Sequence, residues 1–592
     1  MRQRSYLLSM SVISILFGSC HQREEPRVQP PNVIILLTDD QAWGDVSYHG
    51  NTNLSTPNID SIAMQGAVME NFYVQPVCSP TRAELLTGQF FPRLGVYSTS
   101  AGGERMDLGV PTVAEVFKSA GYATAAYGKW HNGTQPPYHP NSRGFDDYYG
   151  FCSGHWGNYF SPMIEHNGEI TKGEGYLVDD FFNHGMEFIG LQKGRPFLLY
   201  LPMNIPHSPM QVPDTFWEEF KKDSLKMNYH GSEKEDTQFT RAALAMVKNI
   251  DWNLGRLTQY LKANDLEENT IVVFMSDNGP ARWRWNGNLR GKKGSTDEGG
   301  VKSPFFMKWP KKITAGTKSE QLMGAVDLLP TLAHLANIQL TDSIKFDGID
   351  VSTALLKADS PIKSRVVYNH WNEKTSIRTQ KYRLDHENRL YDITSDRAQM
   401  SDISNQFPDI KDSLIGLKKR WVKEVGALEK PTQKRRFPIG DSIHGFAQLP
   451  ARDGSPHGEI KRSNRYPNDS FFTNWTKEND FITWNVEVLN DSRFEVYLYY
   501  TCKPEDVGTQ LELTLKNEKI KTTIIQAHDP PLLGRERDRS PRIESYVKDF
   551  KAIKMGELNA QKGAGTLSLT ATEIPGSSAI DFRLLYLKRI EN

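Results

Sequence analysis

Three unbroken apolar runs constrain this chain of 592 residues more than any other feature. They are NVIILLT at 32–38, PFLLYLPM at 196–203 and TIVVFMSDNG at 270–279. A strand with one wet face alternates apolar and polar residues. A run without alternation is buried on both faces, as in parallel sheets covered by helices on each side. Between the runs, apolar residues recur at helical spacing around 56–65, in the first half of TVAEVFKSAGYATAAYGKWH and throughout TRAALAMVKNIDWNLGRLTQYLKAN. This alternation predicts an α/β domain built on a parallel sheet. Ligands of such sheets bind beyond the carboxyl ends of the strands. Here each run ends in polar groups, DD, NIPHSP and DNG, which are expected to converge on one crevice.

The chain divides by texture. Residues 32–304 carry the strand–helix alternation. Residues 305–428, with a helical VDLLPTLAHLANI and short strands in TSIRTQKYRLDHENRLYDI, read as a smaller α+β subdomain. The charged, proline-bearing stretch at 429–444 reads as a linker. Residues 445–592 alternate with period two, predicting an all-β module, most simply a sandwich. At the other end, MRQRSYLLSMSVISILFGSC has two arginines, an apolar stretch and small residues, the build of a secretory signal over 1–20, followed by a linker at 21–31. The small residues before Cys20 resemble a bacterial lipoprotein cleavage site, with a lipid anchor on Cys20. The alternative is an ordinary signal peptide. Either places the mature protein outside the cytoplasm, in a bacterial periplasm or on the outer-membrane or cell surface.

Lysine plus arginine equals aspartate plus glutamate, 71 each, so no global field draws the chain to nucleic acid. Any anionic ligand must be held by a local cluster. Four cysteines in an exported chain of this length are too few for a disulfide framework. With Cys20 and Cys78 set apart, Cys152 and Cys502 are expected to be buried free thiols.

Asp39 and Asp40 follow one buried strand, and Asp277 and Asn278 another. Three carboxylates and an amide oxygen form an all-oxygen set suited to calcium or magnesium, whereas zinc prefers nitrogen and sulfur. Arg82, Lys129, His131, His207 and Lys293 fall in loops after strands or beside glycine. If the segment stays extended, the spacing of Lys129 and His131 puts both on one face. Five cationic or proton-donating groups around one cation suit a small tetrahedral anion. Cys78, ahead of a proline and a predicted helix from Thr81, sits where free amides and the helix dipole favour negative charge. A hard-metal site pairs poorly with sulfur, so an oxygen nucleophile fits better than a thiolate.

CSPTR followed by LLTG resembles the sulfatase signature, in which the cysteine is oxidised to formylglycine (3-oxoalanine) by a maturation enzyme. LLTDDQ, YGKWHNG, NIPHSP, MSDNG and LRGKKGSTDEGG resemble further sulfatase blocks in the family's order, as do AVDLLPTLAHLA, FDGIDV, IRTQKYRL and LYDITSD, over about residues 32–400. The resemblance implies an alkaline-phosphatase-like α/β fold and sulfate ester hydrolysis. It makes Asp39, Asp40, Asp277 and Asn278 ligands of one calcium ion, completed by the modified Cys78. Arg82 would stabilise the formylglycine hydrate, Lys129 would contact hydrate and sulfate, and His131 would move the hydrate's protons. His207 and Lys293 would hold sulfate, one of them protonating the leaving alcohol. Lys292 stands where the family has glycine, and the spacing to EGG selects Lys293. In the implied mechanism, one geminal hydroxyl of the hydrate attacks sulfur and the other later expels sulfate.

An exported enzyme with an appended β module suggests a sulfated saccharide substrate. The module resembles galactose-binding-like jelly-roll modules attached to carbohydrate enzymes; the alternative is a structural buttress. FCSGHWGNY and ARWRWNGN contain candidate sugar contacts: Trp156, Trp283 and Trp285 for stacking, and His155, Arg282 and Asn288 for hydroxyls or anions. The competing readings are a formylglycine-dependent phosphonate or phosphodiester hydrolase, and a glycan-binding protein with an inactive catalytic domain.

Overall fold

The computed structural model describes residues 29–590 apart from 193, 223, 342–343, 359 and 430–434. The expected signal sequence and Cys20 lie outside these residues. Ten strands form the main sheet: β1 (Asn32–Thr38), β2 (Ala67–Tyr73), β3 (Ala123–Lys129), β4 (Asp147–Phe151), β5 (Met163–His166), β6 (Glu169–Lys172), β7 (Phe197–Pro202), β8 (Thr270–Ser276), β9 (Phe305–Lys308) and β10 (Thr317–Gly324). Their order is β10-β2-β9-β8-β1-β7-β3-β4-β5-β6. The centre, β8-β1-β7-β3-β4, is parallel, as the apolar runs required. Both flanks add antiparallel pairs, so the sheet as a whole is mixed.

β1 shows why the run cannot alternate. Ile34 and Leu36 enter the core shared with α1 (Pro57–Met64), α4 (Leu177–Leu191), α5 (Asp214–Phe220) and α6 (Thr237–Ala263). Val33, Ile35 and Leu37 enter the opposite core, with α2 (Cys78–Thr87) and α3 (Val113–Ser119). Every residue of β1 is buried, and truncating Ile34, Ile35, Leu36 or Leu37 to alanine costs about 2–5 kcal/mol. Gly128 in β3 has φ +134°, and a Cβ there would lie 2.1 Å from the Pro202 carbonyl oxygen, so only glycine lets β3 and β7 close up beside the site.

Two segments sit differently from the division read in the sequence. The main sheet runs on past residue 304, because β9 and β10 are strands of it. The separate unit is a four-stranded antiparallel sheet over 367–392 packed by the helix Pro408–Glu424. Within the stretch expected as linker, Phe437–Ile439 is already a strand, paired in parallel with Phe481–Val488 of the β module. Phe437 and Ile439 bury their side chains in the module's core, a signal too short for periodicity to show. The module is two six-stranded sheets, largely antiparallel, whose alternating residues such as Ile482, Trp484, Val486 and Val488 fill one core. Cys152 and Cys502 are buried free thiols. Among the described residues, no helix is long and apolar enough to cross a membrane.

Candidate active site

Register builds the site. Thr38 of β1 stands opposite Ser276 of β8, so the residues that follow them, Asp39 and Asp277, leave the sheet side by side. Backbone bonds continue past the strand ends: Asp277 N–H donates to the Thr38 carbonyl at 3.0 Å, and Asp39 N–H to the Ile205 carbonyl at 3.0 Å. Asp40 follows with φ 64°, a left-handed conformation that aspartate tolerates. Asn278 Nδ2 donates to Asp40 Oδ1 at 2.7 Å, and Asp40 N–H to Asp277 Oδ1 at 3.2 Å.

α2 begins at Cys78 itself, three residues earlier than expected, and all ten of its residues are buried. Thr81 Oγ1 donates to the Asp277 carbonyl at 2.6 Å, which fastens the helix N-terminus to the end of β8. The Cys78 sulfur and one oxygen each of Asp39 and Asp277 all lie within 4.8 Å of one another. Burial pushes the Cys78 thiol up, so as a thiol it would stay protonated at neutral pH.

Each carboxylate has a cation. Lys129 Nζ lies 2.6 Å from Asp39 Oδ2, and Lys293 Nζ lies 2.6 Å from Asp40 Oδ1. Arg82 sends Nε and Nη2 to Asp277 Oδ2 at 3.1 and 2.8 Å, and Nη1 to the Lys129 carbonyl at 2.7 Å. The fork of Arg82 is therefore spent on Asp277 and on the end of β3; it positions the acid and the Lys129 segment. Burial pushes the Asp277 carboxyl up, with the neighbouring Asp39 charge adding to it, to about 7. Burial also works against ionised Asp40, yet the charges of Lys293 and His207 hold its carboxyl below the usual range. His207 Nε2 is 3.9 Å from Asp40 Oδ2.

His131 is not part of an extended pair with Lys129. β3 ends at Lys129, and His131 has φ 65°, so the same-face expectation does not apply. It reaches the crevice instead through Nε2, 2.9 Å from the Thr99 carbonyl. Nε2 must carry the proton there, which leaves the buried Nδ1 lone pair without a partner. Burial and the Lys129 charge hold the imidazole well below its ordinary range, hence neutral.

The donor set fits a hard divalent cation. Asp39 Oδ1 and Asn278 Oδ1 are buried oxygens with no hydrogen-bond partner, a costly arrangement that a cation would relieve. Three carboxylates balanced by Arg82, Lys129 and Lys293 leave no surplus positive charge for an anionic substrate, and a divalent cation would supply it.

Cys78, His131, His155, His207, Arg282 and Lys293 line one crevice of about 500 Å³. His155 stacks on His207 at 5.8 Å between ring centroids. The other expected sugar contacts lie elsewhere. Trp156 stacks on Phe151 at 4.9 Å, donates Nε1 to the Met163 carbonyl at 2.9 Å and sits under Arg583 of the β module. Trp283 stacks on Tyr229 at 4.7 Å. Trp285 and Asn288 border a different pocket with Tyr229 and Met400. These rings are occupied in packing, and the crevice is walled instead by residues that motif reading passed over: Trp371, and from the β module Tyr466, Asn468, Ile543 and Glu544. No local pattern marks them, since they come from separate stretches of chain outside the site motifs.

The module is fastened to the catalytic domain by buried polar bonds. Arg452 pairs with Glu104 at 3.2 Å and donates to Ser153 Oγ at 3.2 Å. Gln211 Nε2 donates to the Gly534 carbonyl at 2.8 Å, and Arg542 Nη1 to the Gly157 carbonyl at 2.6 Å.

Comparison with known proteins agrees with this geometry. Residues 31–338 match the sulfatase family, and residues 292–424 match the C-terminal region of N-sulphoglucosamine sulphohydrolase. The chain is 32% identical over 373 residues to N-acetylgalactosamine-6-sulfatase of Rattus norvegicus, covering 56% of this chain and 68% of the relative. It is 29% identical over 432 residues to an uncharacterized sulfatase of Escherichia coli strain K12, covering 62% and 75%. The structure of Ps i-CgsB in complex with k-i-k-neocarrahexaose superposes with TM-score 0.61 at 30% identity, covering 68% of this chain and 94% of that one. With two adjacent parallel strand ends delivering the acids and the family match spanning that same sheet, this chain belongs to the sulfatase family of the alkaline-phosphatase superfamily and is a sulfuric ester hydrolase.

Proposed function

We propose that the chain removes sulfate from a sulfated saccharide, using a formylglycine made from Cys78 and one calcium ion held by Asp39, Asp40, Asp277 and Asn278. The observation that carries this reading is the seat of Cys78. It lies at the first position of a buried helix, within 4.8 Å of two carboxylates, with a thiol that burial keeps protonated. That is a poor place for a sulfur nucleophile and a good one for an oxygen nucleophile. As formylglycine, the side chain would offer a hydrated aldehyde as nucleophile, and calcium would supply Lewis acidity toward the sulfate oxygens.

The chain's own residues do the rest. Lys129 and Lys293 flank the carboxylates and are positioned to stabilise charge on sulfate oxygens. Neutral His131 can accept a hydrogen bond at Nδ1 inside the crevice. His207 Nδ1 lies 2.6 Å from the Ser208 carbonyl and so donates to it; as the imidazolium it carries a second proton on Nε2, 3.9 Å from Asp40, and that proton can pass to the departing alcohol. Two matched proteins support a saccharide substrate, one named for N-acetylgalactosamine and one solved with an oligosaccharide. We also propose export, from the signal-like first twenty residues.

Mass spectrometry of the peptide containing Cys78 tests the nucleophile: in active protein the thiol should be replaced by an aldehyde. A screen of sulfated saccharides beside phosphate mono- and diesters tests the reaction. An unmodified thiol in active protein, or faster turnover of phosphate esters, overturns the reading.

A further inference from the structure

Glu544 is out of place electrostatically. The crevice it lines receives an anion and is otherwise bordered by Arg282, Lys293 and three histidines. A carboxylate here opposes the substrate's charge unless it has a task. Asp40, the other acid lining the crevice, is accounted for by Lys293 and the metal set. Glu544 has no such partner: among the described residues, no lysine, arginine or histidine lies within ion-pair distance of it. Its contacts are neutral donors, the Ser208 hydroxyl to one oxygen and its neighbour Ile543 N–H to the other at 3.2 Å.

The carboxylate is also held in place. Arg542, two residues earlier, pairs with Asp538 and donates to the Gly157 carbonyl at 2.6 Å. Ser545, one residue later, shares a 2.7 Å hydroxyl contact with Ser463. Ser208, which donates to Glu544, directly follows His207, the residue that delivers the proton to the leaving alcohol. Glu544 therefore borders the space taken by the sugar that carries the scissile sulfate.

We propose that Glu544, supplied by the β module, is a specificity-determining residue that accepts hydrogen bonds from free hydroxyls of that sugar and excludes a second sulfate beside the one being cleaved. The proposal rests on the saccharide reading above. A hydroxyl can donate to a carboxylate; a sulfate has no proton to donate and meets like charge at close range. The module thus edits the substrate as well as supporting the catalytic domain.

The test compares kcat and KM of the wild-type holoenzyme, Glu544→Gln and Glu544→Lys on paired saccharides that differ only by a second sulfate on the reacting sugar. An aryl sulfate is run in parallel, and thermal melting checks folding. In wild type the monosulfated member should be preferred. Glu544→Gln should reduce that preference about tenfold, mainly through KM, and Glu544→Lys should shift it toward the disulfated member. An unchanged ratio in both variants, or a proportional fall on all substrates, overturns the proposal while leaving the saccharide reading intact. Wild-type enzyme that cleaves the aryl sulfate but no saccharide sulfate overturns that reading and this proposal with it.

Discussion

Lys129 donates to one oxygen of Asp39 at 2.6 Å and leaves the other oxygen buried with no partner. A buried carboxylate oxygen without a hydrogen bond is costly, and Asn278 Oδ1 is in the same position. Calcium should therefore raise the melting temperature of chelator-treated protein. At a hundredfold excess over its dissociation constant it adds about 2.7 kcal/mol. Asp277→Asn should weaken calcium binding about 10–100-fold, measured by calorimetric titration. The same stabilisation by calcium in Asp277→Asn would remove Asp277 from the ligand set.

Lys293 offers a cleaner handle on catalysis than Arg82. Burial opposes its charge, but the Asp40 carboxylate and the neighbouring acids hold the ammonium well above its ordinary range, so it is charged at every working pH. Lys293→Ala should lower kcat on the order of 10²–10³-fold, whereas Lys292→Ala should change it little. Lys292 points to Trp283, with its ammonium 5.7 Å from the ring centroid, and is absent from the crevice lining. Steady-state kinetics of the two variants decides between the adjacent lysines, a choice that spacing alone made in favour of Lys293.

That choice shows what was legible before the fold was known. Asp39, Asp40, Asp277, Asn278 and Cys78 sit directly after a buried strand or at a helix start, so their place follows from the chain's own local pattern. The substrate-facing residues do not. Trp156, Trp283 and Trp285 lie close in sequence to site motifs, but their rings had packing partners that no sequence pattern displays. Glu544 and Trp371 reach the crevice only because separate units dock there. His131 reaches the crevice by a route that its spacing from Lys129 does not predict: φ 65° breaks the extended geometry, yet the Thr99 carbonyl brings the ring back.

Arg452 tests whether the module is part of the enzyme. It is buried against Glu104 and donates to Thr134 Oγ1 and Ser153 Oγ, three groups of the catalytic domain. Arg452→Ala strands Glu104, whose carboxyl burial already pushes up, and should cost about 3–5 kcal/mol. Activity should fall with it, since Asn468, another crevice residue, donates to the same Thr99 carbonyl that orients His131. Denaturant unfolding beside kinetics checks both, and an active variant with a freely moving module would refute the integrated view.

Glu84 gives a pH dependence separate from the metal set. It lies in α2, buried, accepting from Gln75 Nε2 at 2.9 and 3.0 Å and from Phe91 N–H at 3.3 Å. Burial pushes its carboxyl up from 4.5 to about 8, more than these hydrogen bonds pull it down. A folded-state value above the unfolded one means that the native protein binds the extra proton. The stabilisation is complete below about pH 4.5 and is lost progressively as pH rises through about 8. Glu84→Gln mimics the protonated form, so it should flatten the fall in melting temperature between about pH 5 and pH 8. At pH 8 it should be the more stable protein by on the order of 2–4 kcal/mol. Parallel melting curves for wild type and variant across that range would mean that Glu84 is ionised in the fold, its charge met by Gln75 and the Phe91 amide.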